Sequence, residues 1–263
     1  MEGITFGPLL LRWNGLLIAL GMILGALHFA LELKKRGYDP DIAYHLFMPL
    51  MVWGMIGARL WHIFTPPLSS VQLGLTTRHY LSHPLDALML WIGGFGLPGA
   101  LIAGILVLYF FTRKYGFPFW TLADMMAPGL ALAQAIGRVG NYFNQEIYGL
   151  PTEMPWAIFI DPPSRLIGYE QVTFYHPLYA YEAALSLVNF GLLLWLSRRM
   201  SDRLRAGHLF LIYLSFYSIV RFLLEFLRLD VALVGGVNAN QVFFAVLFLV
   251  AAGLFWRRRV QVL

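Results

Sequence analysis

The chain has 263 residues, 59% of them hydrophobic and only 13% charged, whereas soluble domains are roughly 45–50% apolar and about 25% charged. A water-soluble fold cannot hide that much apolar surface, so a bilayer is the solvent for much of the chain. Cysteine is absent, which excludes disulfides, thiolate metal sites and a cysteine nucleophile, and the net charge of +5 is explained by membrane topology rather than by nucleic acid.

Residues 1–11 show neither a basic n-region nor a small-residue cleavage site, so no cleavable leader is expected. A crossing helix needs about 20 mostly apolar residues. Seven segments meet that length in chain order: residues 16–33, 44–64, 85–111, 119–139, 177–196, 208–227 and 241–255. Glycines and polar residues interrupt the third and fourth. Lys34, Lys35 and Arg36 follow the first segment, Arg113 and Lys114 the third, Arg198, Arg199, Arg203 and Arg205 the fifth, and Arg257, Arg258 and Arg259 the seventh. These twelve of the 19 Lys and Arg residues all follow odd-numbered segments, while the other links hold few, such as Arg78 and Arg165.

Because basic residues mark the cytoplasmic side, this pattern predicts an all-α polytopic membrane protein. It has seven transmembrane helices, the N-terminus outside and the C-terminus cytoplasmic. Residues 1–263 form a single integral-membrane domain. An outer-side arm is expected at 65–84, around Pro66 and Pro67. A larger insertion at 141–176 carries Pro151, Pro155, Pro162 and Pro163 and an alternating stretch at 155–160. It reads as a small periplasmic cap with short strands between helices 4 and 5. No internal repeat is visible, which disfavours transporter folds built from inverted repeats.

Polar groups at membrane depth are costly and tend to mark function or a buried pair. The richest run is GRVGNYFNQEIYG, residues 137–149, with Arg138, Asn141, Asn144 and Glu146. RFLLEFLRLD, residues 221–230, places Arg221, Glu225 and Arg228 on one helical face. HPLYAYEA, residues 176–183, opens the fifth helix with His176, Pro177, Tyr181 and Glu182. WIGGFGLPGALIAG, residues 91–104, is a glycine-rich break in the third. Each feature has a plain alternative. Arg221 and Glu225 form an intrahelical pair, Arg138 snorkels, the asparagines tie helices together, His176 and Glu182 cap a turn, and Arg59 anchors at the interface. Three polar clusters falling toward one leaflet point instead to a functional polar cavity.

At this point the chain resembles the prolipoprotein diacylglyceryl transferases. GRVGNYFNQEIYG is similar to that family's long G-R-x-G-N-[FY]-x-N-x-E-x-x-G pattern, and DMMAPGLALAQAIGR, residues 124–138, to the D-x-x-A-P run leading into it. HPLYAYE, RFLLEFLR, GARLWH, the Gly-Gly break and Gln241 also fall in family positions, in order. The resemblance implies a multi-pass enzyme of the bacterial inner membrane with its active site toward the periplasmic leaflet. It moves the diacylglyceryl group of phosphatidylglycerol onto the lipobox cysteine of a prolipoprotein and releases glycerol phosphate. Membrane lipids are its surroundings, and no metal or cofactor is implied.

The residues the resemblance implies as catalytic are Arg138, Arg221, Glu146, Glu225 and His176. Substrate contacts are implied for Arg138, Asn141, Asn144, Arg221, Arg228, Tyr181, Glu182 and Gly99. Arg138 and Arg221 suit the phosphate, since guanidinium forks grip phosphate and stabilise a leaving group that gains charge. Glu146 and Glu225 would orient the arginines, and either could accept a proton. Two positions depart from the family: Asn14 stands where many members have Tyr, and Pro98 where many have His or Tyr. The base that activates the thiol then falls among His176, Glu146 and Glu182. The alternatives are a divergent paralogue with altered substrate, or a transporter or channel with an outer-leaflet polar cavity.

Overall fold

A computed structural model describes residues 3–6, 9–90, 93–200 and 203–260. Trp91 and Ile92, which open the glycine-rich break of the sequence, lie outside the described residues. A two-stranded hairpin of β1 (Gly3–Phe6) and β2 (Leu9–Arg12) leads directly into α1 (Trp13–Lys35). Then come α2 (Asp41–Phe64), three short helices α3 (Leu68–Gln72), α4 (Thr77–Ser82) and α5 (Pro84–Leu88), and the long α6 (Leu97–Tyr115) and α7 (Phe119–Asn144). Between α7 and α8 (Leu178–Arg199), β3 (Ile158–Phe159) and β4 (Phe174–Tyr175) pair antiparallel. α9 (His208–Leu224) runs into a 3-10 turn at Glu225–Leu227. A β5–β6 hairpin (Leu233–Val234, Val237–Asn238) then precedes α10 (Ala239–Val260).

Among the described residues, six helices are long and apolar enough to cross a membrane: α1, α2, α6, α8, α9 with its 3-10 turn, and α10. Their outer faces carry exposed large side chains such as Leu27, Leu31, Trp53, Phe110, Trp195 and Leu249. The seventh long helix, α7, falls outside that set. It is packed between α1, α8 and α9 and buries a run from Leu122 to Gly129, and Ala131 beyond it. A helix walled by protein rather than lipid need not be apolar all round, and α7 uses the freedom for Asp124, Arg138 and Asn141.

Close helix contact rests on small residues. A Cβ built on Gly25 of α1 would lie 2.8 Å from the Gly129 carbonyl oxygen of α7, and one on Gly21 2.8 Å from that of Ala133. Both helices thus present small residues four apart, which lets the backbones meet. α2 and α6 join the same way, Gly57 against Gly99 and Ala103. A methyl on Gly99 would run into the Gly57 carbonyl oxygen. Gly99→Ala is therefore expected to force these helices apart and cost about 1–3 kcal/mol, read as a lower melting temperature of the purified protein.

The largest departures from the sequence expectation are at the third and fourth segments. The third segment starts at Leu97, not at residue 85: Gly93 and Gly94 adopt φ of +89° and +80°, which breaks the helix. Residues 84–88 join the arm instead. The fourth runs on to Asn144, so Asn141 and Asn144 sit on the last helical turn, and the inter-helix segment begins at Gln145, the left-handed C-cap (φ +50°). The strands expected in that segment reduce to the two-residue pair β3 and β4. Its small core gathers Tyr148, Ile160, Tyr175 and Leu229. Burial pushes the Tyr148 hydroxyl up to about 12, which keeps it a donor to the Ser164 carbonyl at 2.9 Å while it accepts Leu166 N–H at 2.8 Å.

The arm is fastened by α2. The buried Arg59 guanidinium donates to the carbonyls of Asp86 (2.7 Å), Ala87 (3.0 Å) and Gly93 (2.5 Å) and lies 5.2 Å from the Tyr80 ring centroid. Arg59 thus holds the arm's backbone. At its other end the arm is tied to the turn after α9, where Asp230 accepts from Ser69 N–H and Oγ–H, both at 2.8 Å.

Candidate functional site

Helix ends supply the site. α7 and α9 finish, and α8 begins, at one end of the bundle, so the three polar runs of the sequence meet there. The meeting point is the Glu182 carboxylate, only 1% exposed. Arg138 of α7 reaches its Oε1 at 2.9 Å and Arg221 of α9 its Oε2 at 2.9 Å. Tyr217, one turn before Arg221, donates to Oε1 at 2.7 Å. One carboxylate thus holds two guanidinium groups from separate helices, each on its own oxygen. Burial makes these pairs strongly directional, because an unmatched charge there would be expensive.

Two further carboxylates flank this centre. Glu225 lies 3.4 Å from Arg221 and 3.9 Å from Arg228, and accepts from the Asn240 amide at 3.4 Å. Asn240 in turn accepts from Trp61 Nε1 at 3.0 Å, which links α10 and α2 to the cluster. Glu146, just past α7, gathers amides through Oε1: Asn141 at 2.7 Å, Asn14 at 3.0 Å and Asn144 at 3.2 Å. Arg138 touches this group through Asn141 Oδ1 at 3.4 Å. Glu146 therefore orders amides, and its tie to a guanidinium runs through Asn141. The carboxylate between the two arginines is Glu182.

The remaining expected residues fall into two other places. His176 Nδ1 lies 3.1 Å from the Tyr181 hydroxyl, which accepts from Trp156 Nε1 at 2.7 Å. This trio stands where the α7–α8 segment meets α8. The His176 backbone pairs with Gly149 N–H at 2.8 Å and with the Leu150 carbonyl at 3.1 Å. Gly149 must be glycine there, since a Cβ would come within 2.7 Å of the Leu227 carbonyl. Gly99 is buried in the α2–α6 contact, beside the buried Pro98.

Sequence reasoning singled out Asn14 only as a departure and missed Tyr217 and Asn240 as site members. Tyr217 carried a signal: it precedes Arg221 by four residues, as Arg221 precedes Glu225, so all three share a face. Asn240 and Asn14 carried none, because their partners lie on distant helices.

The family model described as prolipoprotein diacylglyceryl transferase matches residues 3–257. The phosphatidylglycerol–prolipoprotein diacylglyceryl transferase of Parasynechococcus marenigrum is 37% identical over 97% of this chain and 93% of its own length. The chain belongs to the prolipoprotein diacylglyceryl transferase family. Enzymes of the same name from Synechococcus elongatus (35% identical, 96% of this chain and 86% of theirs) and Chloroflexus aggregans (35%, 89% and 77%) extend the likeness. Among the transferases, this chain's Asn14 is accounted for by its geometry: its amide reaches Glu146, and it stands so close to Gly140 that a side chain on that glycine would strike it. Pro98 lies in the first turn of α6, where a missing N–H loses nothing.

Proposed function

We propose that this chain transfers the diacylglyceryl group of phosphatidylglycerol to the lipobox cysteine thiol of a prolipoprotein and releases glycerol phosphate. The observation that carries the reading is the convergence of Arg138 and Arg221 on opposite oxygens of Glu182. Each guanidinium spends one nitrogen on Glu182 and keeps further N–H groups that can grip phosphate oxygens. The Arg138 side chain is 17% exposed, which leaves it within reach of a headgroup. The buried Arg221 Nε–H has no acceptor among the described residues.

In this reading all seven long helices cross the inner membrane, with α7 in the middle, the N-terminus outside and the C-terminus in the cytoplasm. The chain is one integral-membrane domain, and the arm, the α7–α8 cap and the site lie on the periplasmic side. The lipid enters between helices from the bilayer. The cysteine sulfur attacks the glyceryl carbon, a C–S bond forms, the C–O bond to phosphate breaks, and glycerol phosphate leaves with the electron pair. Its phosphate gains charge as it leaves, so Arg138 and Arg221 bind the transition state more strongly than the substrate. Asn141, Asn144 and Arg228 hold the headgroup, and Glu225 orients Arg221. His176 and Tyr181 face the peptide, and Gly99 sets the α2–α6 wall.

The thiol proton goes to Glu146. Glu182 is already taken by two arginines and a tyrosine, and His176 is turned to Tyr181. Glu146 uses only Oε1 for its three amides, and Oε2 has no hydrogen bond or ion pair among the described residues. Purified protein incubated with phosphatidylglycerol and a lipobox peptide is expected to give the peptide a diacylglyceryl mass gain. No gain where a related transferase works overturns the proposal. Glu146→Gln, which keeps the amide contacts, is expected to slow transfer by about 100-fold or more. An unchanged rate would move the proton to His176.

A further inference from the structure

At the end of the bundle opposite Glu182, α1 and α8 finish while α7 and α9 begin. There the chain forms a cleft of about 390 Å³, lined by Lys35 at the end of α1 and Arg36 after it, Arg198 at the end of α8 and Arg205 before α9, together with Glu32 and Asp124. The two carboxylates are already engaged. Glu32 holds Lys35 at 2.6 Å. Asp124 accepts the backbone N–H of Gly207 at 2.6 Å and of Phe210 at 2.8 Å, so it serves the first turn of α9. Arg205 donates to the Arg258 carbonyl at 2.8 Å. Arg36 and Arg198 are exposed, and no hydrogen bond or ion pair holds either guanidinium among the described residues.

We propose that this cleft binds the phosphate of an anionic lipid headgroup in the leaflet facing away from the catalytic arginines, gripped by Arg36 and Arg198. Basic residues follow every helix that ends on this side, so a scattering of cations is what topology alone would give. The cleft is more than that. Chain segments far apart in sequence bring four cations to one concavity, while Arg113, Lys114, Arg199 and Arg203 stand outside its lining. A basic recess between transmembrane helices at headgroup level is the form that phosphate-bearing lipids fill, and paired guanidiniums grip phosphate with two N–H bonds each. The site uses none of the residues assigned to transfer, so its failure and the failure of that assignment are separate results.

The test is native mass spectrometry of the full chain in detergent, titrated with dioctanoyl phosphatidic acid. Arg36→Gln with Arg198→Gln is expected to weaken retention of one lipid about tenfold. The paired control Arg113→Gln with Lys114→Gln removes the same charge from the same side and should leave binding unchanged. Dioctanoyl phosphatidylcholine should be retained equally by wild type and double variant. Inorganic phosphate tells the sources apart: displacement of the lipid by millimolar phosphate assigns the cleft to phosphate itself, and no displacement assigns it to the intact lipid. Diacylglyceryl transfer by the double variant should stay at the wild-type rate, which also reports that it folds; if it misfolds, the single variants carry the titration. Equal lipid retention in wild type and variants, or an equal loss in the control pair, overturns the site.

Discussion

Arg138→Ala and Arg221→Ala are each expected to cut diacylglyceryl transfer by about 100- to 1,000-fold, the scale of removing one pre-aimed donor from a developing anion. The size follows from where the two groups sit. Each already bonds one oxygen of the same carboxylate at 2.9 Å, so neither has to be reorganised when charge builds on the phosphate. Lysine is not an adequate substitute, because it offers a point charge where the geometry calls for a planar fork. Arg138→Lys should therefore recover folding and only part of the rate. The assay is initial velocity with a lipobox peptide over a range of phosphatidylglycerol, alongside size-exclusion in detergent to confirm a folded protein. A loss confined to KM would mean that the arginines bind substrate and transition state alike. A wild-type rate in either alanine variant would remove the arginine from the phosphate.

The six most apolar helices were legible because a crossing segment must be long and apolar. What escaped was set by contacts between helices. The chain continues as helix through Asn144, where the sequence reading stopped at residue 139, because Asn141 and Asn144 find Glu146. Polar residues that look like the start of a loop are the polar end of a protein-walled helix. The third segment began late for the opposite reason. Leu85 and Leu88 are apolar, yet both are exposed in the short α5, and the positive φ of Gly93 and Gly94 separates that helix from α6.

The site was legible as a set of residues and not as a set of partners. Arg221 with Glu225 could be read from a spacing of four. Arg221 with Glu182 spans 39 residues and Asn14 with Glu146 spans 132, and no local pattern encodes such pairs. Arg59 shows the same limit from the other side. It stands in a motif with no acid nearby, and it turns out to bind the carbonyls of a segment 27 to 35 residues on.

Glu182→Ala is expected to damage the protein itself as well as the reaction. Removing the carboxylate leaves the Arg221 guanidinium, with a side chain 5% exposed, holding the 3.4 Å contact to Glu225 and the Phe244 ring 5.4 Å away, and strips Arg138 and Tyr217 of their shared acceptor. Breaking a buried pair by deleting one partner typically costs about 3–5 kcal/mol, because the charge left behind cannot return to water. The variant should melt well below wild type and express poorly. Glu182→Gln separates structure from chemistry: its amide oxygen can still accept one guanidinium and the tyrosine, so folding should largely return while one arginine loses its anchor. If Glu182 only holds the arginines in position, adding a headgroup-bearing phosphatidylglycerol analogue should raise the melting temperature of Glu182→Gln more than that of wild type, since the phosphate then supplies the missing negative charge. An analogue that stabilises both proteins equally would show that the lipid phosphate does not meet these two guanidiniums, and the phosphate assignment would fail with it.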